Sequence, residues 1–88
     1  MDVTKEVSTN KGNPIALEFA DISNESYRTY HFPDGSAVTI YDPLKLNVKR
    51  KLNGDSHRII DANGVSHYIP AGWNHLEWKG KNGEAYNF

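Results

Sequence analysis

The chain has 88 residues, room for one small hydrophobic core and no second. Ten Lys and Arg against 11 Asp and Glu leave a net charge of -1, which argues against a protein given over to coating nucleic acid and against an acidic mimic of it. Cysteine is absent, so disulfides, thiolate metal sites, cysteine nucleophiles and redox pairs are excluded.

Residues 1–12 are polar and aperiodic and read as a flexible N-terminal arm, leaving 13–88 as a single β domain. The opening Met1-Asp2-Val3-Thr4-Lys5-Glu6 lacks the basic start and apolar run of a secretory signal. The longest apolar stretch, Ile15-Ala16-Leu17, is far short of a membrane span. A cytoplasmic location with no membrane partner is the expectation.

From Pro14 onward, short alternating runs are separated by Gly, Pro, Asn and Asp clusters, the pattern of an antiparallel all-β domain. Ile15-Ala16-Leu17-Glu18-Phe19 alternates as a strand. A short helix capped by Asn13-Pro14, with Ile15, Phe19 and Ile22 on one face, is its rival. Phe32-Pro33-Asp34-Gly35-Ser36 predicts a bulged hairpin with Gly35 in the left-handed position. A three-residue loop there puts Tyr30 opposite Val38 and Arg28 opposite Ile40. Tyr30, Phe32, Val38 and Ile40 then form the core face, and Tyr27, Thr29, His31, Thr39 and Tyr41 the outer face. Asp42-Pro43 interrupts the hairpin, and Leu44 to Lys49 alternates as a third strand with its apolar positions inward.

Asp61-Ala62-Asn63-Gly64-Val65 is a second hairpin turn, followed by Tyr68-Ile69, a Pro70-Ala71-Gly72 break and the run Leu76-Glu77-Trp78-Lys79. A slide of 29 residues matches Gly35 to Gly64 and Ile40 to Ile69; one inserted residue then matches Leu46 and Val48 to Leu76 and Trp78. The match predicts a hairpin-plus-strand unit repeated twice, joined by a basic linker from Arg50 to Asp55. Glu84 to Phe88 reads as a last short strand. The sum is six or seven short antiparallel strands in a twisted meander or half-open barrel.

Little in the chain suggests catalysis. His31, His57, His67 and His75 stand in no local zinc spacing, so neither metal nor cofactor is expected. His67, on the face of Ile69, reads as a partly buried histidine with a backbone partner. His57 and Asp61 lie too far apart along a strand for direct contact. No GxSxG elbow and no phosphate-binding glycine loop is present, and the pairs Asp21/Glu25 and Asp55/Asp61 sit at turns, where carboxylates are solvated. The expectation is a protein that is not an enzyme.

Two surfaces remain. Tyr27, His31 and Tyr41 on the outer face of the first hairpin, with Trp73 and His75 beyond the Pro70-Ala71-Gly72 break, have the composition of protein-recognition hot spots. They predict a non-catalytic interaction module, or a small accessory or inhibitor protein, that binds another protein or itself. Trp73 has an alternative place, folded back to cap the open end of the barrel. Residues 45–88 carry seven basic and four acidic side chains, against three and seven in residues 1–44. Within the basic half, Lys45, Lys49, Arg50, Lys51 and Arg58, near Tyr68, Trp73 and Trp78, form an alternative surface for single-stranded nucleic acid. The plainer reading of that segment is a solvated linker whose lysines protect a sheet edge.

Overall fold

The structure, a computed structural model, describes residues 5–8, 15–83 and 85–87. Among these residues it is all-β: β1 Lys5–Ser8, β2 Ile15–Glu18, β3 Ala20–Asp21, β4 Glu25–His31, β5 Ala37–Tyr41, β6 Pro43–Lys51, β7 Gly54–Asp61, β8 Ser66–Ile69, β9 His75–Gly80 and β10 Ala85–Asn87. The strands form two four-stranded antiparallel sheets, ordered β10-β9-β4-β5 and β3-β6-β7-β8, and a ribbon of β1 with β2. The sheets do not close into a barrel. No helix among the described residues is long and apolar enough to cross a membrane.

Two turns of the same construction organise the sheets. In the first, Phe32 N–H donates to the Ser36 carbonyl at 2.9 Å, Gly35 has a φ of 89°, and the Asp34 carboxylate accepts from Ser36 N–H at 2.9 Å. In the second, Asp61 N–H donates to the Val65 carbonyl at 3.0 Å and Gly64 has a φ of 79°. Here the Asp61 carboxylate accepts from the N–H groups of Asn63 and Val65. A positive φ is open to glycine without steric cost, which is why each loop carries one at this position.

The strands after these hairpins change sheets. β6 leaves the β4–β5 hairpin to pair with β7, and β9 leaves the β7–β8 hairpin to pair with β4. Arg28 pairs with Ile40 and Trp78; 29 residues on, His57 pairs with Ile69 and Val48. Tyr30 pairs with Val38 and Leu76; 29 residues on, Ile59 pairs with His67 and Leu46. The repeat read from the sequence is thus a repeat in pairing, with each half supplying a strand to the other's sheet. Asp42, whose φ of 50° is unusual for a residue with a side chain, marks the first crossing. Its N–H donates to the Ser26 carbonyl at 2.9 Å and its carbonyl accepts from Ala62 N–H at 2.9 Å.

The inner faces share one core of Ile22, Tyr30, Ile40, Ile59, Ile69 and Leu76, with Phe32, Leu46, Trp73 and Trp78 packed against it. Residues 15–18 are strand, as the alternation of 15–19 predicts, and 20–21 are strand too, so the rival helix does not form. Several other expectations change. Strand β1 lies within the segment expected to be an arm: its backbone pairs with β2 from Lys5↔Glu18 to Ser8↔Ile15, a ladder that needs no apolar alternation. Val38, placed in the core, is 39% exposed because it stands on edge strand β5, near the turn. The linker is a tight hairpin: Arg50 pairs with Asp55 and Lys51 with Gly54, leaving Leu52-Asn53 as the loop. In Leu52-Asn53-Gly54 the turn chemistry was present, but the flanking basic residues masked it.

Candidate functional site

Between the sheets lies a chain of buried polar groups. Arg28, on the core face of β4, makes a bidentate pair with Glu25, Nε to Oε1 at 2.8 Å and Nη2 to Oε2 at 2.7 Å. Its Nη1 donates to Tyr30 Oη at 2.9 Å. Tyr30 Oη, its acceptor side so engaged, donates to Nδ1 of His57 on β7 at 2.5 Å. Burial, and then the Arg28 charge, push the His57 imidazole from 6.5 down to about 4, so it stands neutral as an acceptor. Burial likewise raises the Tyr30 phenol, which keeps its proton. The Trp73 indole meets both rings edge-on, 5.6 Å from Tyr30 and 5.3 Å from His57, and donates to the Asp55 carbonyl at 3.1 Å. Arg28 also lies 5.2 Å from the centre of the Trp78 ring. Tyr30, Arg28, Glu25 and His57 are all buried, so this hydroxyl–imidazole pair is closed to a substrate and joins the sheets.

The outer face of the first sheet is different. The register places Tyr27 between Tyr41 and Lys79, Thr29 between Thr39 and Glu77, and His31 between Ala37 and His75. The Tyr27 and Tyr41 rings are 6.4 Å apart and tilted by 52°, and Tyr41 is 68% exposed. Thr29 and Thr39 share a hydrogen bond of 2.8 Å between their hydroxyls. His31 Nε2 lies 2.9 Å from Glu77 Oε1, and the His31 and His75 rings are 5.2 Å apart. Tyr41, His31 and Glu77 are reachable from solvent whereas Thr29 is buried, and β4 and β9 are held on both sides while β5 is the sheet edge.

The outer face of the second sheet is basic. Lys45, Lys49 and Lys51 alternate along β6, opposite Ile60, Ser56 and Gly54, and Asn47 faces Arg58. Arg58 in turn pairs with Tyr68, with its guanidinium 5.6 Å from that ring's centre, and donates to Ser66 Oγ at 3.2 Å. A hydrogen bond with Ser56, aided by the Lys51 and Arg58 charges, lowers the exposed Tyr68 phenol from its usual range. Asp21, in register with Lys45, is the acidic neighbour on edge strand β3.

No protein-family model matches this chain, and no curated protein or solved structure matches it. No activity comes to it by likeness. The chemistry of its own surfaces is what there is to read.

Four of the five residues expected at a protein surface, Tyr27, His31, Tyr41 and His75, do share one face. Trp73 does not join them: its ring packs on Tyr30 and His57 at the core, the capping role, and its edge lines a cleft with Asn53, Gly54, Asp55 and Gly72. Of the five residues of the nucleic-acid alternative, Lys45, Lys49, Lys51 and Arg58 share the second outer face with Tyr68. Arg50 alternates to the other side, where it lies 3.5 Å from Asp55. Trp78 stands on the core side of its sheet, away from those lysines. His67 is half-buried and pairs with the Asp61 carboxylate at 2.8 Å, where a backbone partner was expected. Two arrangements escaped the sequence: Tyr30 with His57, and His31 with His75 and Glu77. Both join residues from separate strands, so local spacing carries no trace of them.

Proposed function

We propose that the protein is a non-catalytic binding module, of accessory or inhibitor type, that docks a partner protein on the outer face of β5, β4 and β9. The observation that carries this reading is the Tyr27–Tyr41 pair on paired strands, Tyr41 exposed and Tyr27 half-buried beside it, bordered by hydroxyl, imidazole and single charged groups. Tyrosine offers large contact area at small entropic cost, with a hydroxyl for hydrogen bonding. The repeat sharpens the point. Tyr27, Thr29 and His31 correspond to Ser56, Arg58 and Ile60, so the fold does not itself demand tyrosine and histidine there. The buried state of the Tyr30–His57 pair supports the non-catalytic part of the reading. Replacing Tyr27 and Tyr41 together, with the melting temperature measured beside partner capture, is the test; a second copy of the chain as partner would appear as concentration-dependent dimerisation.

A second reading has its own observation. Lys45, Lys49, Lys51 and Arg58 converge with Tyr68 on one sheet face, which suits a single-stranded polyanion whose bases stack on the ring. Neutralising Lys49, Lys51 and Arg58 would then lower the log–log salt slope of oligonucleotide binding by roughly 2. Arg50, directed to the opposite side, would contribute little.

A further inference from the structure

We propose that His31, His75 and Glu77 form a binding site for one late first-row divalent cation, such as Zn2+, on the outer face of the β4–β9 pair. The proposal stands on these three side chains and holds whether or not a partner protein docks beside them.

The register creates the site. His31 and His75, 44 positions apart in the chain, are direct cross-strand partners, and Glu77 follows His75 by two residues and so projects from the same face. One donor atom from each lies within 4.8 Å of the others, and His31 Nε2 and Glu77 Oε1 are already at 2.9 Å. Zinc–nitrogen and zinc–oxygen bonds of about 2.0–2.2 Å set donors around a tetrahedral ion roughly 3.4 Å apart. The widest separation need therefore close by no more than about 1.4 Å, a movement within the side-chain torsions of half-buried residues on a fixed backbone.

The donor set selects the ion. Two imidazoles and one carboxylate suit zinc, copper, nickel or cobalt, and are poor for calcium or magnesium, which favour oxygen throughout. Three protein donors leave a fourth position toward solvent. A simple His–carboxylate pair explains His31 with Glu77 but leaves His75 unexplained, its ring 5.2 Å from a second imidazole. The other half of the repeat again supplies contrast: the corresponding residues are Ile60, Lys45 and Asn47, so the sheet is built there without any such donor set. Lys79, two residues beyond Glu77 on the same face, is the nearby positive charge that tempers affinity.

The test uses the untagged full chain and Zn2+ at neutral pH, followed by calorimetry and by NMR of the histidine side chains. The expected result is saturation at a single equivalent, with the His31 and His75 imidazole resonances shifting and those of His57 and His67 unmoved. His31→Gln and His75→Gln should each weaken binding by at least about tenfold, Glu77→Gln by less, and His67→Gln not at all. The resonance shifts in the unaltered chain decide the matter even if a variant folds poorly. No shift up to about 1 mM Zn2+, a range that covers weak sites, would overturn the proposal. So would binding that survives His75→Gln in a folded chain, or binding lost with His67→Gln instead.

Discussion

Tyr30 and His57 are 27 residues apart in the chain and 2.5 Å apart through Oη and Nδ1, one from each sheet. Arg28 donates to the same Tyr30 oxygen, so the hydroxyl is the middle of a relay running from Glu25 to His57. Tyr30→Phe leaves the shape of the core intact but strands a guanidinium N–H and an imidazole nitrogen without their partner. The expected loss of stability is about 2 kcal/mol or more, since a buried unsatisfied group costs the desolvation it no longer recovers. A urea titration of both proteins reads this as a lower midpoint. An unchanged midpoint would show that the relay contributes nothing to holding the sheets.

The same contact dictates a pH response. His57 in the fold titrates near 4, below the 6.5 of the free side chain, because burial and Arg28 disfavour its charge. Its contribution to stability is complete above 6.5 and is lost as pH falls from 6.5 toward 4, where the unfolded chain binds a proton that the folded one refuses. The loss across that window is expected to be on the order of 2 kcal/mol, reduced by what solvent reaches the ring. His57→Gln keeps an acceptor for Tyr30 and removes the titration. Its stability should be flatter with pH over that window, and identical slopes for the two proteins would contradict the assignment.

Gly35 and Gly64 occupy matching turns at φ of 89° and 79°, and a methyl group added at either meets nothing within 4 Å. The cost of alanine is therefore backbone strain alone, about 1 kcal/mol at each site. Thermal denaturation of Gly35→Ala and Gly64→Ala should show two similar losses. A large difference between them would mean that the two turns are not equivalent.

Trp73 is expected to report on the fold rather than on binding. Trp73→Phe loses the bond to the Asp55 carbonyl and part of the contact with Tyr30 and His57. A drop in melting temperature corresponding to about 1–3 kcal/mol, with partner capture retained when the variant is folded, is the predicted pair of results.

The hairpins were legible because their determinants are local: Pro33-Asp34-Gly35 and Asp61 to Gly64 set the turns, and the turns fix which residues face one another. The loop of the first hairpin gave the outer-face positions of Tyr27, His31 and Tyr41, and the 29-residue match extended the pattern to the second unit. The exchange of β6 and β9 between sheets was not legible, since nothing in either strand names its partner. Everything that depends on that exchange was hidden with it, including the Tyr30–His57 contact and the meeting of His31 with His75. The hairpin tip at Lys51 to Gly54 was missed for a different reason: a strand of charged residues earns its place through backbone pairing, and its pattern resembles a solvated loop.

The most direct test of the partner-face reading compares capture from native lysate by the unaltered chain, by Tyr27→Ala/Tyr41→Ala and by Lys49→Ala/Lys51→Ala/Arg58→Ala, each shown to be folded and each assayed with and without nuclease. The account predicts a discrete protein held by the unaltered chain and by the lysine–arginine variant. That protein should be lost from the tyrosine variant, with an affinity drop of about 2 kcal/mol or more, and be indifferent to nuclease. Capture that survives loss of both tyrosines, or that disappears with nuclease and with the three basic residues, would contradict it.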